Sequence, residues 1–207
     1  MARDSYHHGN LRQALVDATV SLIEDKGPMA FTLAEAARQA GVSAAAPYRH
    51  FSGREQLLEE VARQGFLDFA ARLEAAFDEG RPSALSAFLR MGQAYLGFAA
   101  AKPGFYMAMF ESGISIAGNA DLALAAQQAE AALVRGAEAL FARLPADRRP
   151  PATMVANHVW AMSHGVVELF GRGRPGGRAP IGADDMLESG VLIYLRGLGV
   201  IPPDPAR

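Results

Sequence analysis

Apolar residues recur every three to four positions along most of the chain, and no segment alternates apolar and polar residues over the length of a strand. This period predicts amphipathic helices. Glycine and proline divide the pattern into about nine predicted helices. They cover residues 10–26, 33–40, 44–51, 53–79, 83–102, 103–113, 119–144, 152–170 and 184–198. The predicted fold class is therefore all-α.

Helix start and stop signals are densest between Phe31 and Leu57. Thr32 followed by Glu35 has the spacing of a capping box, and Gly41 suits the left-handed end of that helix. Ser43 is placed to cap the next helix, and Ser52 with Glu55 repeats the capping box for the third. Two short helices joined by a glycine turn predict a helix-turn-helix, which presents a short helix to the DNA major groove.

The segment TLAEAARQAGVSAAAPYRHFSGREQLL resembles the DNA-binding motif of the TetR family of bacterial transcriptional regulators. The preceding YHHGNLRQALVDATVSLIEDKG resembles the first helix of one branch of that family, and WAMSHG near Trp160 resembles a C-terminal motif of one subgroup. The resemblance implies an N-terminal three-helix DNA-binding domain in residues 1–55. It also implies a helical ligand-binding and dimerisation domain in residues 56–207, with the boundary inside the fourth predicted helix.

Composition fits a globular protein, because 50% of the 207 residues are apolar. Cysteine is absent, so there is no disulfide framework and no cysteine-based metal site. No apolar run reaches the length of a membrane span, and the N-terminus lacks the apolar core of a signal peptide. We therefore expect a cytoplasmic protein without membrane contact. No phosphate loop, GxSxG or paired-carboxylate motif is present, so we expect neither a cofactor nor enzymatic activity.

The net charge of −2 does not by itself indicate nucleic-acid binding, but the distribution of charge does. No acidic residue lies between Arg38 and Arg54, whereas Arg49 and His50 fall inside this window. A positive patch limited to the turn and the second helix suits phosphate contact. A window this short can also lack acids by chance.

Within the predicted recognition helix, Pro47 and Phe51 should face the core, leaving Arg49 as the expected direct reader of guanine. Ala44, Ala45 and Ala46 offer only methyl contacts to thymine. The resemblance implies phosphate contacts from Tyr48 and His50, and we expect further phosphate contacts from Thr32, Ser43 and Arg54. Pro47 predicts an irregular or delayed helix start. The N-terminal arm, with Arg3, Tyr6, His7 and His8, either follows the DNA or frays.

Aromatic and methionine residues concentrate between Phe66 and Phe110. Most should form the core of the C-terminal domain, whereas the family resemblance implies a partly filled core that binds a small apolar or amphipathic effector. The predicted pocket residues are Phe66, Phe69, Tyr95, Phe105, Phe110 and His164. Glu168 shares a helix face with His164, but one such pair does not make a metal site, so packing is the simpler interpretation.

The last two predicted helices carry apolar stripes that can close a four-helix interface between two copies of the chain. The predicted interface residues are Val155, Val159, Met162, Val166, Val191, Tyr194 and Leu195. Between these helices, GRGRPGGRAPIG is expected to form a loop rather than an Arg/Gly nucleic-acid tail.

Together these features predict a ligand-responsive transcriptional regulator, a repressor that binds a palindromic double-stranded operator as a homodimer. The alternative is a helical-bundle enzyme or small-molecule carrier with an incidental helix-turn-helix. A bound metal or cofactor would favour the alternative, whereas salt-sensitive binding to a palindromic duplex would favour the regulator.

Overall fold

The computed structural model describes residues 7–171 and 181–202, with side chains from residue 11 onward. These ranges contain eight α-helices and no strand, which confirms the all-α prediction. The helices are α1 His7–Lys26, α2 Leu33–Gln39, α3 Arg54–Phe77, α4 Ala84–Ala101, α5 Pro103–Phe110, α6 Ala120–Phe141, α7 Ala152–Val166 and α8 Ala183–Gly197. The remaining predicted helix, expected over residues 44–51, is instead a short 3-10 helix from Ala46 to Arg49.

Two sequence predictions fall wholly or partly on residues outside the described ranges. The predicted DNA-binding arm includes Arg3 and Tyr6, which lie outside them, and the side chains of His7 and His8 are likewise not described. The predicted loop after α7 falls mostly on residues 172–180, which are also outside. The predicted start of the first helix at Asn10 is wrong, because α1 already begins at His7 and its backbone runs through Asn10.

The described residues form two compact units. The first contains residues 7–68 and 102–126, and the second contains 69–101, 127–171 and 181–202. Helices α3 and α6 each pass from one unit into the other. The functional boundary predicted after residue 55 stays a prediction, since a compact unit and a functional domain need not end at the same residue.

In the first unit α1, α2, α3 and α5 pack around a core that includes the fully buried Leu15, Phe51 and Leu57. Helix α5 approaches α1 closely at Gly104, whose N–H donates to Glu24 Oε1 at 3.1 Å. A side chain cannot replace this glycine without movement, because a Cβ there would lie 2.7 Å from the carbonyl oxygen of Val20. Helices α1, α2 and the start of α3 thus share one core with a segment more than 40 residues further along the chain.

The second unit is built around aromatic side chains from α3, α4 and α7. The Phe69 ring meets Tyr95 edge-on at 5.0 Å between centroids, and Trp160 packs against the same ring at 6.1 Å. Helix α6 approaches α4 at Gly136, where a Cβ would lie 2.9 Å from Phe88. The apolar face of α3 carries Leu58, Ala62, Phe66, Phe69 and Leu73, all buried, and ends at Phe77, which is half-buried.

Candidate nucleic-acid interface

The helix-turn-helix begins with the predicted capping box. Thr32 Oγ1 accepts the backbone N–H of Glu35 at 3.2 Å, and the Glu35 carboxylate accepts the backbone N–H of Thr32 at 2.9 Å. Lys26 at the end of α1 also binds this carboxylate, at 2.7 Å. The hydrogen bond from Lys26, followed by those from Thr32, lowers the pKa of Glu35 to about 2. Thr32 remains exposed, as a phosphate contact requires.

The turn after α2 forms where glycine allows it. Gly41 adopts a φ of 71°, a left-handed conformation that L side chains rarely take. The Val42 N–H then reaches back to the Ala37 carbonyl at 2.9 Å, closing the helix end. Ala37 is fully buried at this point. This confirms the predicted position of the turn.

The recognition element differs from the regular helix predicted for residues 44–51. It is a 3-10 helix from Ala46 to Arg49, and no side chain caps its start. The predicted cap at Ser43 is wrong, because its backbone carbonyl, not its hydroxyl, bonds the Ala46 N–H. The delayed start predicted from Pro47 is confirmed: the 3-10 helix begins at Ala46, so Pro47 lies in its first turn, where a missing N–H costs no intrahelical hydrogen bond.

The side chains of this element divide as predicted. Pro47 and Phe51 are buried, whereas Ser43, Ala44, Ala45, Tyr48 and Arg49 are exposed. Tyr48 is 64% exposed although it is a large aromatic residue, and Ala46 is half-buried. Arg49 and Tyr48 are therefore presented by a short element whose orientation is fixed by two buried residues.

Arg54, the predicted phosphate contact at the start of α3, is instead held inside the unit. Its guanidinium lies 4.8 Å from the centre of the Phe31 ring and donates through Nη2 to the Pro28 carbonyl. Nε of Arg54 is also buried. Through these two contacts Arg54 ties the loop before α2 to α3.

One further prediction near this point needs correction. The second capping box, Ser52 with Glu55, does not form, because the Gln56 side chain accepts the Ser52 N–H at 2.6 Å instead. His50 is half-buried and its Nε2 is buried, and its phosphate contact stays a prediction. Of the predicted phosphate contacts, Tyr48, Thr32 and Ser43 are the exposed ones.

A buried carboxylate joins α1 to α3 behind the recognition element. Glu60 is 7% exposed and binds Arg12 at 3.0 Å and Arg63 at 2.8 Å, while Gln64 donates to it at 2.9 Å. Burial opposes its ionisation, but the hydrogen bonds from Arg63 and Gln64 and the charges of both arginines outweigh burial and lower the pKa of Glu60 to about 2. The spacing of Glu60, Arg63 and Gln64 on one helix could have indicated part of this network, but Arg12 is about 50 residues away and no spacing rule indicates it.

The six residues predicted to line an effector pocket fall into two groups, one in each unit. In the first unit Phe66 meets Phe110 edge-on at 5.6 Å, and Phe105 packs near Gly65. In the second unit Tyr95 packs on Phe69, and its hydroxyl lies 3.3 Å from His164 Nδ1. The pocket itself stays a prediction.

A cavity of about 360 Å³ lies in the second unit, between α4, the π-helical turn Val167–Gly171 and the start of α8. Its apolar lining comes from Leu96, Ala99, Ala100, Val167, Phe170 and Ala183. Its polar lining comes from Gln93 and Asp184. None of these residues belongs to the predicted pocket.

Five of the seven predicted dimer-interface residues are buried within their own chain: Val155, Val159, Val166, Val191 and Leu195. They cannot form the contact surface as predicted, because α7 and α8 bury these stripes within the second unit. Met162 and Tyr194 are half-buried. The exposed apolar residues of the same two helices are Met154 and Ile193, 37% and 68% exposed.

None of the helices within residues 7–171 and 181–202 combines the length and apolar character needed to cross a membrane. Across the described part of the chain, no group of three or more histidine, aspartate or glutamate residues is arranged to hold a metal ion.

Two protein families match the chain. Residues 15–61 match the family described as bacterial regulatory proteins, tetR family, and residues 88–193 match the tetracyclin repressor-like C-terminal domain. The second match alone covers more than half of the 207 residues.

Individual proteins are similar over different lengths. The HTH-type transcriptional regulator BetI of Rhizobium meliloti is 48% identical over 52 residues, 25% of this chain and 26% of that regulator. The match thus spans about a quarter of the curated relative. A protein of unknown function from Rhodococcus sp. RHA1 superposes with a TM-score of 0.77 at 30% identity, covering 94% of this chain and 98% of that one. The TetR-like regulator LfrR of Mycobacterium smegmatis, solved in complex with proflavine, shares the fold: its TM-score is 0.63 at 23% identity, with 90% and 96% covered.

Proposed function

Because the chain belongs to the TetR family of bacterial regulatory proteins, we propose that it is a transcriptional repressor that binds a palindromic operator as a homodimer and responds to a small molecule. The matched family consists of regulators, so the alternative of a bundle enzyme with an incidental helix-turn-helix is set aside. We propose a cytoplasmic location, because the operator DNA of a bacterium lies in the cytoplasm. The N-terminal and Trp/His-Gly motifs suggest one branch of the family, on the strength of the sequence resemblance alone.

The observation that carries the proposal is the exposed recognition element. Arg49 and Tyr48 stand on a turn anchored by buried Pro47 and Phe51, and no acidic residue lies from Arg38 to Arg54. Arginine pairs with O6 and N7 of guanine in the major groove, and the neighbouring alanines offer methyl contacts to thymine. The surface therefore suits direct reading of a short half-site.

The experiment is selection of duplex fragments by the purified protein, followed by titration of the selected duplex with Arg49→Ala. We expect a loss of about 1–3 kcal/mol of binding free energy and relaxed preference at one position in each half-site. Arg143→Ala is the matched control, because it removes one exposed arginine that lies outside the recognition element. Unchanged affinity and preference in Arg49→Ala would exclude this residue as the reader.

A second chain is required because one helix-turn-helix reads too few base pairs to find an operator. We propose that α7 and α8 form the homodimer through their exposed apolar residues Met154 and Ile193. These residues replace the buried ones predicted from sequence. The effector is proposed to be a small apolar or amphipathic molecule. LfrR, solved with proflavine, is a protein of this fold that accommodates a small molecule.

A further inference from the structure

We propose that the cavity between α4, the π-helical turn and α8 binds a cationic amphipathic small molecule, with Asp184 as the partner of its positive charge. The site is separate from the aromatic pocket predicted from sequence. Only its consequence at the operator rests on the proposed function, because binding itself can be measured without DNA.

The cavity has the size and the apolar lining of a small-molecule site. A volume of about 360 Å³ is within the usual range for small-molecule sites. Leu96, Ala99 and Val167 form a buried apolar floor, and Phe170 adds an aromatic face. An alkyl or aromatic body would lose contact with water on this floor, which favours binding in proportion to the area covered.

The cavity also offers a negative charge. Among the described residues that line the cavity, Asp184 is the charged one, and Gln93 is the other polar side chain. Glu188 lines the adjoining cleft, one helical turn along α8 from Asp184 and on the same face. No described lysine or arginine lines either space. An apolar floor with a carboxylate at its rim selects a molecule that has an apolar body and one positive group.

The π-helical turn supplies the wall of the cavity. Val167–Gly171 continues α7 with one wider turn, and three of its residues, Val167, Phe170 and Gly171, line the space. Single π-helical turns inside helices are frequent at functional sites, because the wider turn moves side chains off the regular helix faces. Its position here is consistent with a ligand site.

The test uses three probes with the same alkyl chain: octyltrimethylammonium, 1-octanol and octyl sulfate. Affinity is measured by calorimetry on the whole protein without DNA. We expect the ammonium to bind about 1.5-fold to fivefold more tightly than the alcohol, the range for one ion pair at the edge of solvent. Octyl sulfate should bind most weakly, because its negative charge is repelled by Asp184.

Asp184→Asn should remove the preference for the ammonium, leaving its affinity equal to that of the alcohol. Asp185→Asn is the matched control, since Asp185 is also an exposed acid in the first turn of α8 but does not line the cavity. Ala100→Phe should fill the space and weaken the ammonium and the alcohol, whereas Ala101→Phe, at the exposed next position, should not. Preference for the sulfate, or equal loss of ammonium preference in both aspartate variants, would overturn the proposal. A failure of operator binding would leave these results unaffected.

Discussion

At the scale of single residues, Arg54 makes contacts that its position in the chain does not indicate. It follows the recognition element directly, where a cation is well placed for phosphate, yet its guanidinium stacks on Phe31 and bonds the Pro28 carbonyl. Arginine offers a flat face for stacking and donors at its edge, so one side chain satisfies both neighbours. The loop before α2 is held by this contact.

We predict that Arg54→Ala lowers the free energy of unfolding by roughly 1–3 kcal/mol, since the buried Pro28 carbonyl loses its donor and Phe31 its cation. The measurement is urea denaturation. In parallel, operator affinity is measured against salt concentration, where Arg54→Ala should keep the slope of the wild type because no phosphate contact is lost. A slope flattened by about one phosphate contact would restore Arg54 to the DNA interface.

Single residues also show what the sequence could and could not predict. Thr32, Glu35 and Gly41 behave as predicted, because capping and a left-handed turn depend on neighbours within five residues. The caps at Ser43 and Ser52 fail for local reasons of another kind: Pro47 is accommodated by a helix that starts only at Ala46, and Gln56 competes for the N–H that Glu55 was expected to bind. The partners of Arg54 are 23 to 26 residues away, and no spacing rule indicates them.

At the scale of elements, α1 and α3 are joined by the Glu60 carboxylate, which accepts hydrogen bonds from α3 and the charge of Arg12 on α1. Its pKa is lowered from 4.5 to about 2. A carboxylate with a lowered folded-state pKa stabilises the fold above its unfolded pKa, and this stabilisation is lost as the pH falls toward the folded pKa.

We therefore predict that Glu60→Gln unfolds more easily than the wild type near neutral pH, by on the order of 2–3 kcal/mol, with a smaller difference at lower pH. The gap should close as the pH falls from about 4.5 to about 2, where the wild-type carboxylate is itself protonated. Urea midpoints measured across this range test the prediction. Glu188→Gln, an exposed acid on α8, provides the control, and a constant gap at all pH values would exclude linkage to Glu60 ionisation.

The Asn119 side chain connects α6 to α3 through its amide oxygen and its amide nitrogen. Its Oδ1 accepts the N–H groups of Asp121 and Leu122 and so caps α6, while its Nδ2 donates to Glu59 Oε2 on α3 at 2.8 Å. The segment from residue 102 to 126 is thereby tied to the helix that follows the recognition element. Glu59 lies just one turn beyond the start of α3.

We predict that Asn119→Asp weakens the first unit although aspartate caps helices as well as asparagine does, because two carboxylates then face each other. The loss should be about 1–3 kcal/mol in urea denaturation, with a parallel fall in operator affinity. Adding Glu59→Gln supplies an amide donor to the new aspartate and should recover most of both losses. If the double variant is no better than Asn119→Asp, the effect arises from the cap and not from the tie to α3.

In the second unit, most residues of the predicted dimer surface are buried within their own chain. The apolar stripes of α7 and α8 were assigned to an interface between two chains, but an apolar stripe first serves the core of its own chain. Val155 and Leu195 are fully buried without any partner subunit. Sequence periodicity does not distinguish these two uses of an apolar face, whereas the residual exposure of Ile193 in the folded chain does.

At the scale of the whole molecule, the proposed homodimer depends on this exposed face. We predict that Ile193→Glu shifts the protein toward monomer in sedimentation at micromolar concentration, because a charge would be buried in the interface. Operator affinity should fall with it, since a monomer reads one half-site. Leu124→Glu, which changes an exposed leucine on α6, is the matched control. A monomeric Ile193→Glu variant with undiminished operator affinity would contradict the dimer requirement.

The last prediction concerns communication between the effector and the operator. A ligand changes DNA affinity only through its different affinity for the DNA-bound and free forms, and linkage makes the effect mutual. About 1.4 kcal/mol of coupling gives a tenfold change. Helices α3 and α6 each run through both compact units, so either can carry such a difference along the chain.

We predict that a confirmed effector weakens operator binding, and that operator DNA weakens effector binding by the same factor, because both factors express one coupling free energy. The measurement is a pair of titrations of the effector, with the protein alone and with the protein saturated by operator duplex. A non-operator duplex of equal length, at salt high enough to suppress its binding, controls for the presence of DNA. Equal effector affinities in the two titrations would show that the ligand and the operator bind independently, and the protein would then be a DNA-binding regulator without an allosteric response to that ligand.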